Sequence, residues 1–142
     1  MTKRRDRKVQ YAALPYRQGP QGLEVLLITS RGTGRWVAPK GWPMKDRAPH
    51  EAAAQEALEE AGVEGEVSPE PLGGFGYLKR LKSGRDRPVQ VTVFPLKVTA
   101  EHAHWKEAHE RTRRWFAPAE AASLVNEAEL RRLIAAFGER GA

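Results

Sequence analysis

The 142-residue chain contains no cysteine. That absence removes disulfide frameworks and thiolate metal sites together, so any metal must be held by oxygen or imidazole. Hard cations become the first candidates. The histidines His50, His102, His104 and His109 lack the spacing of a zinc site. No stretch approaches the roughly 18 consecutive apolar residues of a membrane span, and no apolar signal segment follows the basic start Lys3 to Lys8. The expectation is therefore a cytoplasmic protein without a membrane partner. Internal repeats and low-complexity tracts are missing too, which argues against a solenoid. What remains suits one folded domain, with 40% hydrophobic and 30% charged residues. Residues 1–8 read as a basic, solvated tail and 9–142 as the domain. A net charge of +6 and a pI near 9.9 point to anionic partners, among which charge alone cannot choose.

Strand-favouring residues fill Val9 to Tyr16 and Leu23 to Thr29, the latter bounded by Gly22 and Gly32. Pro39 to Pro43 breaks any regular element. Pro49 to Ala61 then carries five alanines and four glutamates without a glycine, which predicts a helix with Pro49 in its first turn and Gly62 as its left-handed stop. Leu72 to Leu81 and Val89 to Val98 predict a hairpin joined by the polar Lys82 to Arg87. A short strand at Arg113 to Ala117 and a short helix at Pro118 to Val125 follow. Asn126 to Glu129 has capping-box-like spacing before a terminal amphipathic helix. This order of elements predicts a mixed α/β sandwich.

On the first predicted helix Glu56 and Glu60 are four residues apart and Glu56 and Glu59 three apart, so the carboxylates project to one side. Like charges so placed cost a few tenths of a kcal/mol per pair. A bound Mg²⁺ would make the cluster attractive. The alternative is a solvated acidic face on an alanine-rich helix.

The stretch Trp36-Val37-Ala38-Pro39-Lys40-Gly41-Trp42 before the helix, and Glu59-Glu60-Ala61-Gly62-Val63 at its end, resemble the Nudix box, G-x5-E-x7-R-E-U-x-E-E-x-G-U with U aliphatic. Glu56, Ala57, Glu59, Glu60, Gly62 and Val63 take their matching positions. The opening glycine is assigned to Trp42, the first glutamate to Ala48 and the arginine to Gln55, three departures from the pattern. Ser30-Arg31, Arg35-Trp36, the strand Val89 to Val98 and Arg113-Arg114-Trp115-Phe116 extend the resemblance to the diphosphoinositol-polyphosphate and diadenosine-polyphosphate branch.

The resemblance implies a Nudix-type α/β/α sandwich with a mixed sheet. It also implies a hydrolase in which water attacks a phosphorus of a diphosphate linkage. Its metal ligands carry over to Glu56 and Glu60, with Glu59 nearby and a backbone carbonyl at Lys40 or Gly41, and its cofactor is Mg²⁺, for which Mn²⁺ can substitute. Glu56, Glu59 and Glu60 form the implied catalytic set, and the proton acceptor is left open among Glu59, Glu60 and Glu107. Ser30, Arg31, Arg35, Lys40 and Trp42 are the implied substrate contacts, since guanidinium forks suit phosphate oxygens. Lys79, Arg80, Lys82, Arg85 and Arg87 read equally well as phosphate contacts or a solvated turn. Trp36, Trp105 and Trp115 read as packing residues. The expected partner is a small polyphosphate, with nucleic acid ranked below it. Removal of pyrophosphate from RNA 5′ ends and a silent nucleotide-binding module are the competing functions.

Overall fold

The computed structural model describes residues 8–141. The expected tail over 1–8 therefore lies outside the described residues except for Lys8, which starts the first strand. Eight strands form one mixed sheet: β1 (Lys8–Gly19), β2 (Gly22–Thr29), β3 (Trp36–Val37), β4 (Lys40–Gly41), β5 (Val63–Val67), β6 (Gly73–Arg80), β7 (Asp86–Glu101) and β8 (Arg113–Phe116). Three helices complete the chain: α1 (Pro49–Ala61), α2 (Pro118–Leu124) and α3 (Ala128–Arg140). The central path runs β3-β2-β1-β7-β5, with β1 parallel to β7 and the other pairings antiparallel. β7 is long enough to pair with β6 along its first half and β5 along its second.

The centre of β1 is buried on both sides, and successive side chains feed two separate cores. Ala12 and Leu14 join Val25, Leu27, Val91 and Val93 beneath α2 and α3. Ala13 joins Ile28, Phe94 and Leu96 beneath α1, whose own contribution is Ala53, Ala57 and Ala61. These small residues let the helix axis lie close to the sheet, so the carboxylates of α1 are carried along its edge rather than held out in solvent. The arrangement is the α/β/α sandwich with a mixed sheet expected from the sequence.

Two expectations change. Pro39 to Pro43 is not wholly irregular, because Lys40 and Gly41 pair with Ala12 and Tyr11 as β4. Asn126 does not cap α3: the N-cap is Glu127, without a side-chain cap, and Glu129 accepts the N–H of Gly76 at 2.8 Å. The strand β5 was absent from the sequence reading. Its exposed Glu64, Gly65 and Glu66 are poor strand formers, and a bulge at Glu64/Gly65 breaks the alternation on which such readings depend.

Candidate active site

The position of α1 is fixed at both ends. Ala48 offers no capping side chain, and the Glu51 carboxylate accepts its backbone N–H at 2.8 Å. Gly62 ends the helix at φ 69°, where a Cβ would also meet Trp105 at 2.7 Å and Arg113 at 2.8 Å. A helix end leaves four carbonyls without intrahelical donors. Here Gly62 N–H serves Leu58 at 3.1 Å, Glu107 N–H serves Glu59 at 3.1 Å, Trp105 Nε1 serves Glu60 at 3.1 Å and Arg113 Nη1 serves Ala61 at 3.0 Å. Three of the four donors come from residues 105–113. Trp105, read from sequence as packing, thus caps the helix with Arg113 stacked over its ring at 4.1 Å.

This anchoring turns Glu56 and Glu60 into a cleft of about 410 Å³, whose lining also includes Ser30, Arg31, Lys40, Gly41, Trp42 and Tyr77. Glu107, Arg111 and Lys79 complete its charged wall. Of the expected site residues, Arg35 and Glu59 do not line it. Arg35 instead bonds Glu127 at 3.3 Å, and Glu59 accepts from Gln55 at 2.8 Å. Arg31 lines the cleft while paired with Glu110 at 2.9 Å. Trp42 stands 41% exposed at the rim, whereas Trp36 packs edge-on against Phe116. Of the hairpin cations Lys79 lines the cleft, and Arg80 pairs with Asp86 at 2.7 Å away from it.

Glu60 is only 8% exposed. Burial, reinforced by Glu56, pushes its carboxyl up to about 8, against the opposing pull of Arg111 and the Lys40 N–H. Glu56 is also raised, first by burial and then by Glu59 and Glu107. Each of these two desolvated carboxyls perturbs the other, so the pair favours holding a proton, more strongly at Glu60. Lys40 bonds Glu60 through its backbone N–H at 3.2 Å and sets its ammonium 5.0 Å from the Tyr77 ring. Burial lowers its pKa, with Glu60 and Glu127 opposing. A pair of carboxyls forced together in a desolvated cleft is an oxygen donor set suited to a hard divalent cation. No group of three acidic or imidazole side chains converges on one point among the described residues, which fits a cation that keeps waters and substrate oxygens as its remaining ligands.

A family model for the NUDIX domain matches residues 7–137. The chain belongs to the Nudix family. Nudix hydrolase 12, mitochondrial, of Arabidopsis thaliana is 36% identical over 118 residues, covering 81% of this chain and 58% of that protein. Diphosphoinositol polyphosphate phosphohydrolase 3-beta of Bos taurus is 30% identical over 120 residues, covering 83% of this chain and 69% of that protein. The solved structure of C. elegans Ap4A hydrolase superposes with a TM-score of 0.66 at 20% identity, covering 95% of this chain and 98% of that one. The chain thus spans only part of the plant relative's length.

Membership sharpens the register of the Nudix box. Counting back from Gly62 through G-x5-E-x7-R places the opening glycine at Gly41, the first glutamate at Arg47 and the arginine at Gln55. The assignment to Trp42 and Ala48 was one residue late. The structure gives Gly41 its reason, since a Cβ there would run into the Glu56 carboxylate. Two departures therefore remain, Arg47 and Gln55, and both line a groove on the far side of α1 from the cleft. The residues that sequence reasoning missed are Gln10, Tyr77 and Arg111. Tyr77 donates to Gln10 at 2.7 Å across the sheet, a contact without a local sequence signal.

Proposed function

We propose that this chain is a Mg²⁺-dependent hydrolase of a diphosphate linkage in small, highly anionic metabolites, dinucleoside polyphosphates and diphosphoinositol polyphosphates being the leading classes. The single observation that carries this reading is the placement of Glu56 and Glu60, both raised by burial, inside a cleft whose wall adds Arg31, Lys40, Lys79 and Arg111 beside one further carboxylate, Glu107. When bound, the cation would neutralise charge on the phosphoryl oxygens and lower the pKa of water. Glu56 and Glu60, with the Gly41 backbone, would hold it.

Arg31 and Lys40 bind phosphate oxygens in this reading, with Ser30 donating through its hydroxyl. Arg31 must exchange its exposed partner Glu110 for phosphate, and a surface ion pair of that kind is weak enough to yield. Trp42 covers the cleft mouth. Arg35 acts from beside the cleft, joining the substrate contacts once released from Glu127. Water attacks phosphorus as the bridging P–O bond breaks, and the proton goes to a cleft carboxylate. Of the three acceptors considered from sequence, Glu60 and Glu107 line the cleft. Glu59, tied to Gln55 and Lys106, supports the helix from behind. A cytoplasmic location belongs to the same proposal and rests on the cysteine-free composition.

The test is a phosphate-release panel with Mg²⁺ or Mn²⁺ over dinucleoside polyphosphates, diphosphoinositol polyphosphates and 5′-triphosphorylated RNA. Turnover of the first two classes above the RNA is the expected result. Preference for the RNA would favour 5′-end processing, and silence on all three, with no cation binding, would favour a nucleotide-binding module.

A further inference from the structure

The Nudix box ordinarily carries a glutamate and an arginine at the positions held here by Arg47 and Gln55, so this chain cannot form an acid–base pair between them. Among the described residues the Gln55 side chain hydrogen-bonds Glu59 alone. Yet the face of α1 toward the cleft is more heavily braced than the face behind it. Arg111, on the connection between β7 and β8, is 9% exposed and contacts three groups at once. Its Nε donates to Glu107 at 2.7 Å, its Nη1 donates to the Thr29 carbonyl at 3.2 Å, and its Nη2 stands 3.7 Å from Glu60 Oε2. Glu107 is itself anchored, because its N–H bonds the Glu59 carbonyl of α1. The connection, the end of β2 and the carboxylate face of α1 therefore meet at one guanidinium.

We infer that Arg111 is a positioning residue, holding Glu60 and Glu107 in the orientation that the divalent cation and the attacking water require, in place of a brace within the box. The inference rests on the hydrolase reading above. A planar fork suits this task because its donors point in fixed, separate directions, whereas an ammonium serves as a point charge. The Thr29 carbonyl prevents the guanidinium from collapsing onto either carboxylate. The charge-conserving change Arg111→Lys separates positioning from plain electrostatics. It keeps a positive charge beside Glu60, so electrostatics alone would leave cation binding near the wild-type level. Loss of orientation loosens it.

Mn²⁺ binding to the full-length protein, followed by electron paramagnetic resonance, makes the distinction alongside steady-state kinetics on the substrate found in the phosphate-release panel. Arg111→Gln and Arg111→Lys should each weaken Mn²⁺ binding and lower kcat by at least about tenfold, the scale of lost support around metal ligands. KM should stay within about threefold. Because Arg111→Gln leaves the half-buried Glu107 without its partner, Arg111→Gln/Glu107→Gln supplies a better-folded companion, with a melting temperature nearer the wild type and the same weakened Mn²⁺ binding. Mn²⁺ affinity at or above the wild-type level in Arg111→Lys or in both Gln variants, or a defect confined to KM, would overturn the inference and leave the hydrolase reading intact. A wild type that neither binds Mn²⁺ nor releases phosphate would overturn both.

Discussion

Two grooves flank α1, and the larger one is chemically the quieter. Behind the helix lies a space of about 650 Å³ lined by Lys45, Asp46, Arg47, Glu51 and Gln55, compared with about 410 Å³ in the cleft. Both contain glutamates from the same helix. Glu51 is exposed and spends its carboxylate on the helix start, whereas Glu60 is buried against Glu56 and keeps its proton to about pH 8. Proton affinity thus follows desolvation and the neighbouring charge, with cavity size deciding little. The alanines of α1 create the asymmetry, because the side that lies closest to the sheet drags the adjacent carboxylates out of water.

The sharpest way to break this comparison is Glu60→Gln. Turnover on a confirmed substrate should fall more than about 100-fold, beyond the usual cost of changing a residue that only orients a metal ligand. Stability of the metal-free protein should hold near neutral pH, where Glu60 is already uncharged, and exceed the wild type above about pH 8, where the amide cannot ionise. Wild-type-like kcat would remove Glu60 from the cation site.

A smaller effect, about tenfold, is expected from Arg31→Ala, read as the ratio of kcat/KM between a long polyphosphate and a short diphosphate. Arg35→Ala should move that ratio in the same direction and less, because Arg35 must first leave Glu127. An unchanged ratio in both would return these arginines to the surface.

Stability should also respond to pH in one direction. The folded-state pKa of Glu60 is raised above that of the unfolded chain, near 4.3, so the metal-free protein has this contribution in full below that value. It loses the contribution as pH rises through about 8. Melting temperatures of the metal-free wild type should fall across that window, and those of Glu60→Gln should fall less. Parallel curves would show that Glu60 titrates normally.

The smallest effect belongs to the groove behind the helix. Arg47→Glu and Gln55→Arg should each be neutral or harmful alone, while the pair should recover more than their sum by about 0.3 to 1 kcal/mol, the range of an exposed ion pair. Strict additivity in thermal melts would show that these positions do not couple.

Much of the fold could be read from the sequence where periodicity and punctuation agree. The bounds of α1 follow from Pro49 and Gly62, and the hairpin from alternation in Val89, Val91 and Val93. The missed β5 and the short β4 are stabilised by pairing across the sheet, to which Glu64, Gly65 and Lys40 contribute no propensity of their own. The same division runs through the site. Glu56, Glu60, Arg31 and Lys40 were visible because they sit in or beside a recognisable spacing, whereas Arg111 reaches Glu60 across 51 residues of sequence and Tyr77 reaches Gln10 across 67. Glu59 was placed with its neighbours by helical spacing and by the box pattern, and neither could foresee that Gln55 and Lys106 would engage it behind the cleft lining.

The most direct test of a desolvated carboxyl pair built for a divalent cation is the number of protons released when Mg²⁺ or Mn²⁺ binds at pH 7, measured by titration calorimetry in buffers of different ionisation enthalpy. With Glu60 protonated to about pH 8, binding should release about one proton in the wild type. In Glu60→Gln that release should disappear together with most of the affinity. Absence of binding in the wild type, or binding without proton release that persists in Glu60→Gln, would contradict the role given to Glu56 and Glu60.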